Sequence, residues 1–169
     1  TYTWTGVNSN GCDSIATLNL VINELGVSDV VTNTSCYGLS DGSAIITVTG
    51  GDLPYTYLWS NGATSKDLTN VSAGSYSLTI TDNNSCSATT EITINQPDEI
   101  SISDFVTNAS CETTTDASID ITTYGGTAPF TYLWSNGQTD EDLVNIGIGQ
   151  YTVIITDINN CETTESVTV

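Results

Sequence analysis

Along most of its length the chain alternates apolar and polar residues with a period of two, and no stretch carries a helical period. Residues 43–49 set Ala44, Ile46 and Val48 on one face, and a later stretch sets Ile119 and Ile121 opposite Asp120. That alternation is the mark of a strand with one face buried. The next run, Pro54 to Trp59, puts Tyr55, Tyr57 and Trp59 on one face and closes at Ser60-Asn61-Gly62. Residues 65–71 follow, anchored by Leu68 and Val71, then residues 75–81 with Tyr76, Leu78 and Ile80 inward. After the turn Asp82-Asn83-Asn84-Ser85 comes a strand over 88–94, and one over 27–33 precedes them all. Six short strands separated by Gly, Asn and Pro turns predict an all-β fold, a two-sheet β-sandwich.

The pattern occurs twice. Pro54-Tyr55-Thr56-Tyr57-Leu58-Trp59-Ser60-Asn61-Gly62 returns as Pro129-Phe130-Thr131-Tyr132-Leu133-Trp134-Ser135-Asn136-Gly137, 75 residues on. Residues 27–94 and 102–169 align at that offset without a gap and match at about half of their positions, which makes the chain a tandem repeat. At an offset of 74, Tyr2, Asn10 and Cys12 fall on Tyr76, Asn84 and Cys86. The expected organisation is residues 1–25 as the C-terminal remnant of a preceding module, 26–97 as repeat 1 and 98–169 as repeat 2, within a longer array. Residues 95–99 form a linker too short for free tumbling.

Charge removes two classes of partner. Twenty Asp and Glu face one basic residue, Lys66, with no Arg and no His. Neutralising phosphates takes Lys and Arg, so nucleic acid is not an expected partner, and the same holds for an anionic membrane surface. No apolar run reaches membrane-spanning length, so no membrane insertion is expected.

A repeat of some 70 to 75 residues buries little surface for its size and calls for a staple. Cys36 and Cys86 are 50 residues apart, as are Cys111 and Cys161, while Cys12 stands in the place of Cys86 and Cys161. Counting four strands between Cys36 and Cys86, an even number of antiparallel passages, predicts Cys36–Cys86 and Cys111–Cys161, one disulfide per repeat, with Cys12 unpaired by truncation. A fifth passage would put the two sulfurs at opposite ends. Closing a 50-residue loop is worth roughly 4 kcal/mol. Trp59 and Trp134 are expected in the core, where burying an indole of about 150–250 Å² is worth on the order of 4–6 kcal/mol. Tyr76 and Tyr151, each following a Gly at a strand start, fit a tyrosine corner.

Candidate catalytic chemistry is thin. There is no His, the cysteines are committed to disulfides, and the acidic run Asp140-Glu141-Asp142 reads as a solvated strand edge. No cofactor is expected. Calcium is the one ion the oxygen-rich turns suit, with Asp82, Asp98, Glu99 and Asp157 as weak candidates, although turn-forming Asp and Asn account for these residues without metal.

The series Gly50-Gly51…Pro54-Tyr55-Thr56-Tyr57…Trp59-Ser60-Asn61-Gly62-Ala63-Thr64…Gly74-Ser75-Tyr76…Thr81-Asp82-Asn83…Cys86 resembles the SprB-type repeat of Bacteroidota gliding-motility adhesins. More broadly it is similar to PKD-type immunoglobulin-like modules. The resemblance implies secretion by the type IX system, a place on the outer cell surface, and work as stalk, spacer or attachment module moved by the gliding machinery. Partners would be neighbouring repeats of the same chain and extracellular surfaces or polysaccharide. The rival reading is a carbohydrate-binding or spacer module of a secreted polysaccharide-degrading enzyme, which exposed aromatics such as Tyr37 and Tyr124 would favour.

Overall fold

The computed structural model describes residues 2–7, 13–18 and 24–169, and every regular element among them is a β-strand. β1 (Tyr2–Val7) and β2 (Asp13–Leu18) form a hairpin. Six strands follow as a first unit: β3 (Gly26–Thr32), β4 (Gly42–Thr49), β5 (Thr56–Trp59), β6 (Leu68–Val71), β7 (Gly74–Thr81) and β8 (Ser87–Ile94). Six more repeat them: β9 (Ser101–Thr107), β10 (Ala117–Tyr124), β11 (Thr131–Trp134), β12 (Leu143–Ile146), β13 (Gln150–Thr156) and β14 (Glu162–Thr168). In the first unit the sheets run β3-β4-β6 and β5-β7-β8, and the second unit reproduces both orders. All neighbours are antiparallel. In the hairpin Tyr2 stands opposite Leu18, the register of Tyr76 opposite Ile92 in β7 and β8. Cys12 lies outside the described residues.

The inward faces close two separate cores. Ala44, Ile46, Trp59, Leu68, Leu78, Ile80 and Ile92 fill the first. Ala117, Ile119, Ile121, Trp134, Leu143, Val153 and Ile155 fill the second, with Ile100 brought in from the start of the unit. Trp59 and Trp134 are each 1% exposed. Each indole N–H donates to a loop carbonyl, Ser65 at 2.9 Å and Asp140 at 3.0 Å, so its one polar atom is satisfied inside the core. Tyr76 and Tyr151 are half-buried and pack against the core from its margin. Their hydroxyls donate to the carbonyls of Ser72 and Gly147 in the preceding crossover, which is the tyrosine-corner bond.

β5 and β6 decide the topology. β5 pairs only with the last four residues of β7, and β6 only with the first residues of β4. The upper end of a unit is taken here as the end where β8 runs out into the linker. β4 and β7 both descend from it, so β5 and β6, antiparallel to them, both ascend. β5 covers the lower half of one sheet and β6 the upper half of the other, and together they make a single passage. The switch between sheets is held by the Trp59 indole bond and by Asp67, whose carboxylate accepts the Ile46 N–H at 2.8 Å just where β6 has yet to begin. Asp142 does the same for Ile121 at 2.9 Å. The acidic run 140–142 is therefore more than a solvated edge: one member completes the hydrogen bonding of β10. Asn70 and Asn145, at φ 56° and 58°, occupy the bulge that lets β6 and β12 rejoin the ladder, a backbone position Asn tolerates better than most residues.

This corrects the expected disulfides. With β5 and β6 counted as one passage, three passages separate Cys36 from Cys86, an odd number, and the two lie at opposite ends of the sandwich. Cys36–Cys86 does not form, and neither does Cys111–Cys161. Cys36 is bonded to Cys161, across the two units and 125 residues apart in sequence, with 5.6 Å between their Cα atoms. Cys86 and Cys111 are free and exposed.

Candidate functional site

The feature that sets this chain apart from a pair of independent sandwiches is the junction between them. It is built from the upper end of the first unit and the lower end of the second. At the upper end, the loop after β3 is tied to the end of β8: the Thr34 N–H donates to the Asn95 carbonyl at 3.0 Å, and the Gly38 N–H donates to Asn95's neighbour Gln96 through its side-chain oxygen at 3.0 Å. Asp41 fixes the cysteine loop from within, accepting the Ser35 N–H at 3.1 Å and the Ser35 hydroxyl. Those bonds, the hydroxyl first, hold the Asp41 carboxyl below its usual range.

At the lower end the organiser is Asp157. One carboxylate oxygen accepts the N–H groups of Asn159 at 2.8 Å and Cys161 at 2.9 Å, and the other accepts the Thr127 N–H at 2.9 Å. Its own backbone closes the same turn, N–H to the Cys161 carbonyl at 3.0 Å. Asp82 is its counterpart, accepting from Asn84, Cys86 and Asp52. Burial pushes the Asp82 carboxyl up, but the three backbone donors outweigh it and leave it below the ordinary value. These two aspartates were calcium candidates in the sequence. Their oxygens are engaged by backbone donors, and their task is to present a cysteine at the base of each unit. Asp98 and Glu99 lie in the linker, where the Asp98 carbonyl accepts the Gly126 N–H at 2.9 Å. Among the described residues no group of three or more Cys, Asp or Glu side chains is arranged to hold a metal ion.

Between the two ends the linker lies flat against the second unit. A Cβ at Gly125 would sit 1.9 Å from the Glu99 carbonyl oxygen, so only glycine admits the approach, and its φ of 71° suits glycine as well. The Cys161 sulfur lies 3.3 Å from the Ser35 carbonyl, and Cys36 packs against the core of the second unit. A cleft of about 330 Å³ opens beside the disulfide, walled by Tyr37, Leu39, Pro97 and Ile100 with Glu99 and Glu162 at the rim. Tyr37 is 50% exposed there, while Tyr124, 54% exposed, lies on β10 and lines no part of it.

Fold and junction define a class: β-sandwich repeats coupled end to end. Residues 28–64 and 103–139 match the family model of the SprB repeat, one segment in each unit. The matched segments run from β3 and β9 to just past the Ser-Asn-Gly turns, and contain Cys36 and Cys111 but not Cys86 or Cys161. The SprB repeat is a structural repeat of the surface adhesin-like kind. No curated protein matches the chain. No helix among the described residues is long and apolar enough to cross a membrane.

Sequence reasoning missed the junction bond and the aspartates that serve it. The signal was present, since Asp82 stands four residues before Cys86 and Asp157 four before Cys161.

Proposed function

We propose that the chain is part of a large secreted cell-surface adhesin whose units act as stalk and spacer, holding an attachment region away from the cell during gliding. The observation that carries this reading is the Cys36–Cys161 bond. It spends a covalent link on fixing one unit to the next, where a solitary binding module would staple itself. The two segments that match the SprB repeat model and the near absence of basic residues support the same reading. Export by the type IX route and movement by the gliding machinery follow from the family resemblance.

Antibody against this chain, applied to intact producing cells, tests it. Labelling at the surface, and transport of antibody-coated beads along the cell, are the expected results. Labelling only after the envelope is permeabilised would defeat the proposal. The exposed aromatics, Tyr37 beside the junction cleft and Tyr124 on β10, favour the carbohydrate-binding alternative. Specific micromolar binding of the chain to a defined polysaccharide, lost in Tyr37→Ala, would give that reading precedence.

A further inference from the structure

The two free cysteines among the described residues, Cys86 and Cys111, occupy, unit for unit, the places of the two bonded ones. Cys111 follows β9 as Cys36 follows β3, and its loop is built alike. The Ser110 N–H donates to Asp116 at 3.0 Å where the Ser35 N–H donates to Asp41 at 3.1 Å. The Thr114 N–H reaches the Cys111 carbonyl at 3.1 Å where the Leu39 N–H reaches that of Cys36 at 3.3 Å. Cys86 is presented by Asp82 as Cys161 is by Asp157, each cysteine N–H bonded to the aspartate at 2.9 Å. The upper end of the second unit thus repeats the hydrogen-bonded frame that, one unit earlier, presents the bonded cysteine, with Glu112, Thr113 and Thr114 in the places of Tyr37, Gly38 and Leu39. The lower end of the first unit repeats the frame that presents its bonded partner.

We infer that Cys111 and Cys86 are open halves of the same junction bond, and that the partner of Cys111 is the lower-end cysteine of a further unit of this fold following in the same polypeptide. Every unit in such an array is bonded to both neighbours and never to itself, which goes beyond the proposed surface role and holds whatever the array attaches to. The bond forms by thiol–disulfide exchange. The Cys111 thiolate attacks a small-molecule disulfide such as oxidised glutathione and expels one thiolate. The neighbour's cysteine thiolate then attacks the mixed disulfide at the Cys111 sulfur and releases the second. Two protein thiols are oxidised by two electrons, their two protons leave, and one glutathione disulfide is reduced to two thiols.

The test extends the full chain by one unit. Val169 stands where Ile94 stands, so a second copy of residues 95–169 joined directly after Val169 keeps the linker in register. The extended chain is refolded in a glutathione redox buffer, alkylated and mapped by mass spectrometry. The expected result is the Cys36–Cys161 bond retained, Cys111 lost from the alkylated pool and joined to the appended copy of Cys161, again across 125 residues. In Cys111→Ser the appended copy of Cys161 becomes fully alkylatable, while the Cys36–Cys161 bond and the tryptophan fluorescence stay unchanged. Cys111 alkylated beside a free appended Cys161, or Cys111 bonded to any cysteine other than that one, overturns the inference. Neither result bears on surface labelling of cells, so the two proposals fail separately.

Discussion

Pulling the chain from Gly26 and from its last residue is a direct measure of what the junction bond does. Tension applied at Gly26 travels along β3 to Cys36, crosses the bond to Cys161 and leaves through β14, the last strand. The loop closed between Cys36 and Cys161, 125 residues apart in sequence, cannot lengthen while the bond holds. At about 3.3–3.6 Å of extended chain per residue it represents roughly 400–450 Å of hidden length. Oxidised protein stretched by single-molecule force spectroscopy should therefore release only the short strands that flank the bond. Reductant should restore roughly 400–450 Å, shared between two sandwich-sized events. Bonds internal to each unit would behave differently, hiding about 50 residues twice, roughly 170 Å each, and leaving the linker free to extend. An oxidised chain that pays out the length of a whole sandwich, on the order of 200 Å, would show that force does not pass through Cys36 and Cys161. At equilibrium the same bond closes a loop worth about 5 kcal/mol in chain entropy, a stabilisation that belongs to the pair of units together.

Three further outcomes are expected. Trp134→Ala should cost the second unit about 3–5 kcal/mol, because it empties the centre of a packed core and orphans the Asp140 carbonyl; urea titration of the reduced chain, in which the bond no longer couples the units, should show the first unit, with Trp59, unaffected. Asp157→Ala removes the acceptor of three backbone N–H groups at a site only 4% exposed and should cost on the order of 3 kcal/mol, with slower formation of the Cys36–Cys161 bond as an independent readout. The Asp116 carboxyl is held at about 2 by the hydroxyls of Thr114 and Ser110 and the Ser110 N–H; since its folded value lies below the ordinary one, its stabilisation is complete above about pH 4 and is lost as pH falls toward 2. Asp116→Asn should flatten that part of the acid-unfolding curve followed by tryptophan fluorescence, and an unchanged curve would show that the loop does not depend on the charge.

The fold was legible because burial imposes itself on every second residue. Ala44, Ile46, Leu78, Ile80, Ile119 and Val153 all lie at positions the alternation turns inward, and all are fully buried. Repetition made the reading firmer, since two copies with the same pattern exclude chance. The strand boundaries held less well at β6, which begins at Leu68 and not at residue 65. There the polar run Ser65-Lys66-Asp67 has side-chain work to do: Lys66 donates to the Ile46 carbonyl at 2.8 Å and Asp67 accepts its N–H. Such bonds satisfy the edge of β4 as a strand would, and no periodicity announces them. The junction was less legible still, because Asp82 and Asp157 look like ordinary turn residues until both carboxylate oxygens are seen collecting N–H groups.

The cysteine pairing could have been reached from the array itself. Cys36 lies after the first passage of its unit and Cys86 before the last, so the passages between them number two fewer than the total. A unit that passes its chain to the next in a straight line must enter at one end and leave at the other, which takes an odd total. The number between the cysteines is then odd as well, and they stand at opposite ends. An even total would permit an internal bond, but it would return the chain to the end it entered and fold the array back on itself. A linear array and a bond from Cys36 to Cys86 are therefore mutually exclusive. With five passages, β5 and β6 sharing one, the upper cysteine of each unit faces the lower cysteine of the unit that follows, as Cys36 meets Cys161.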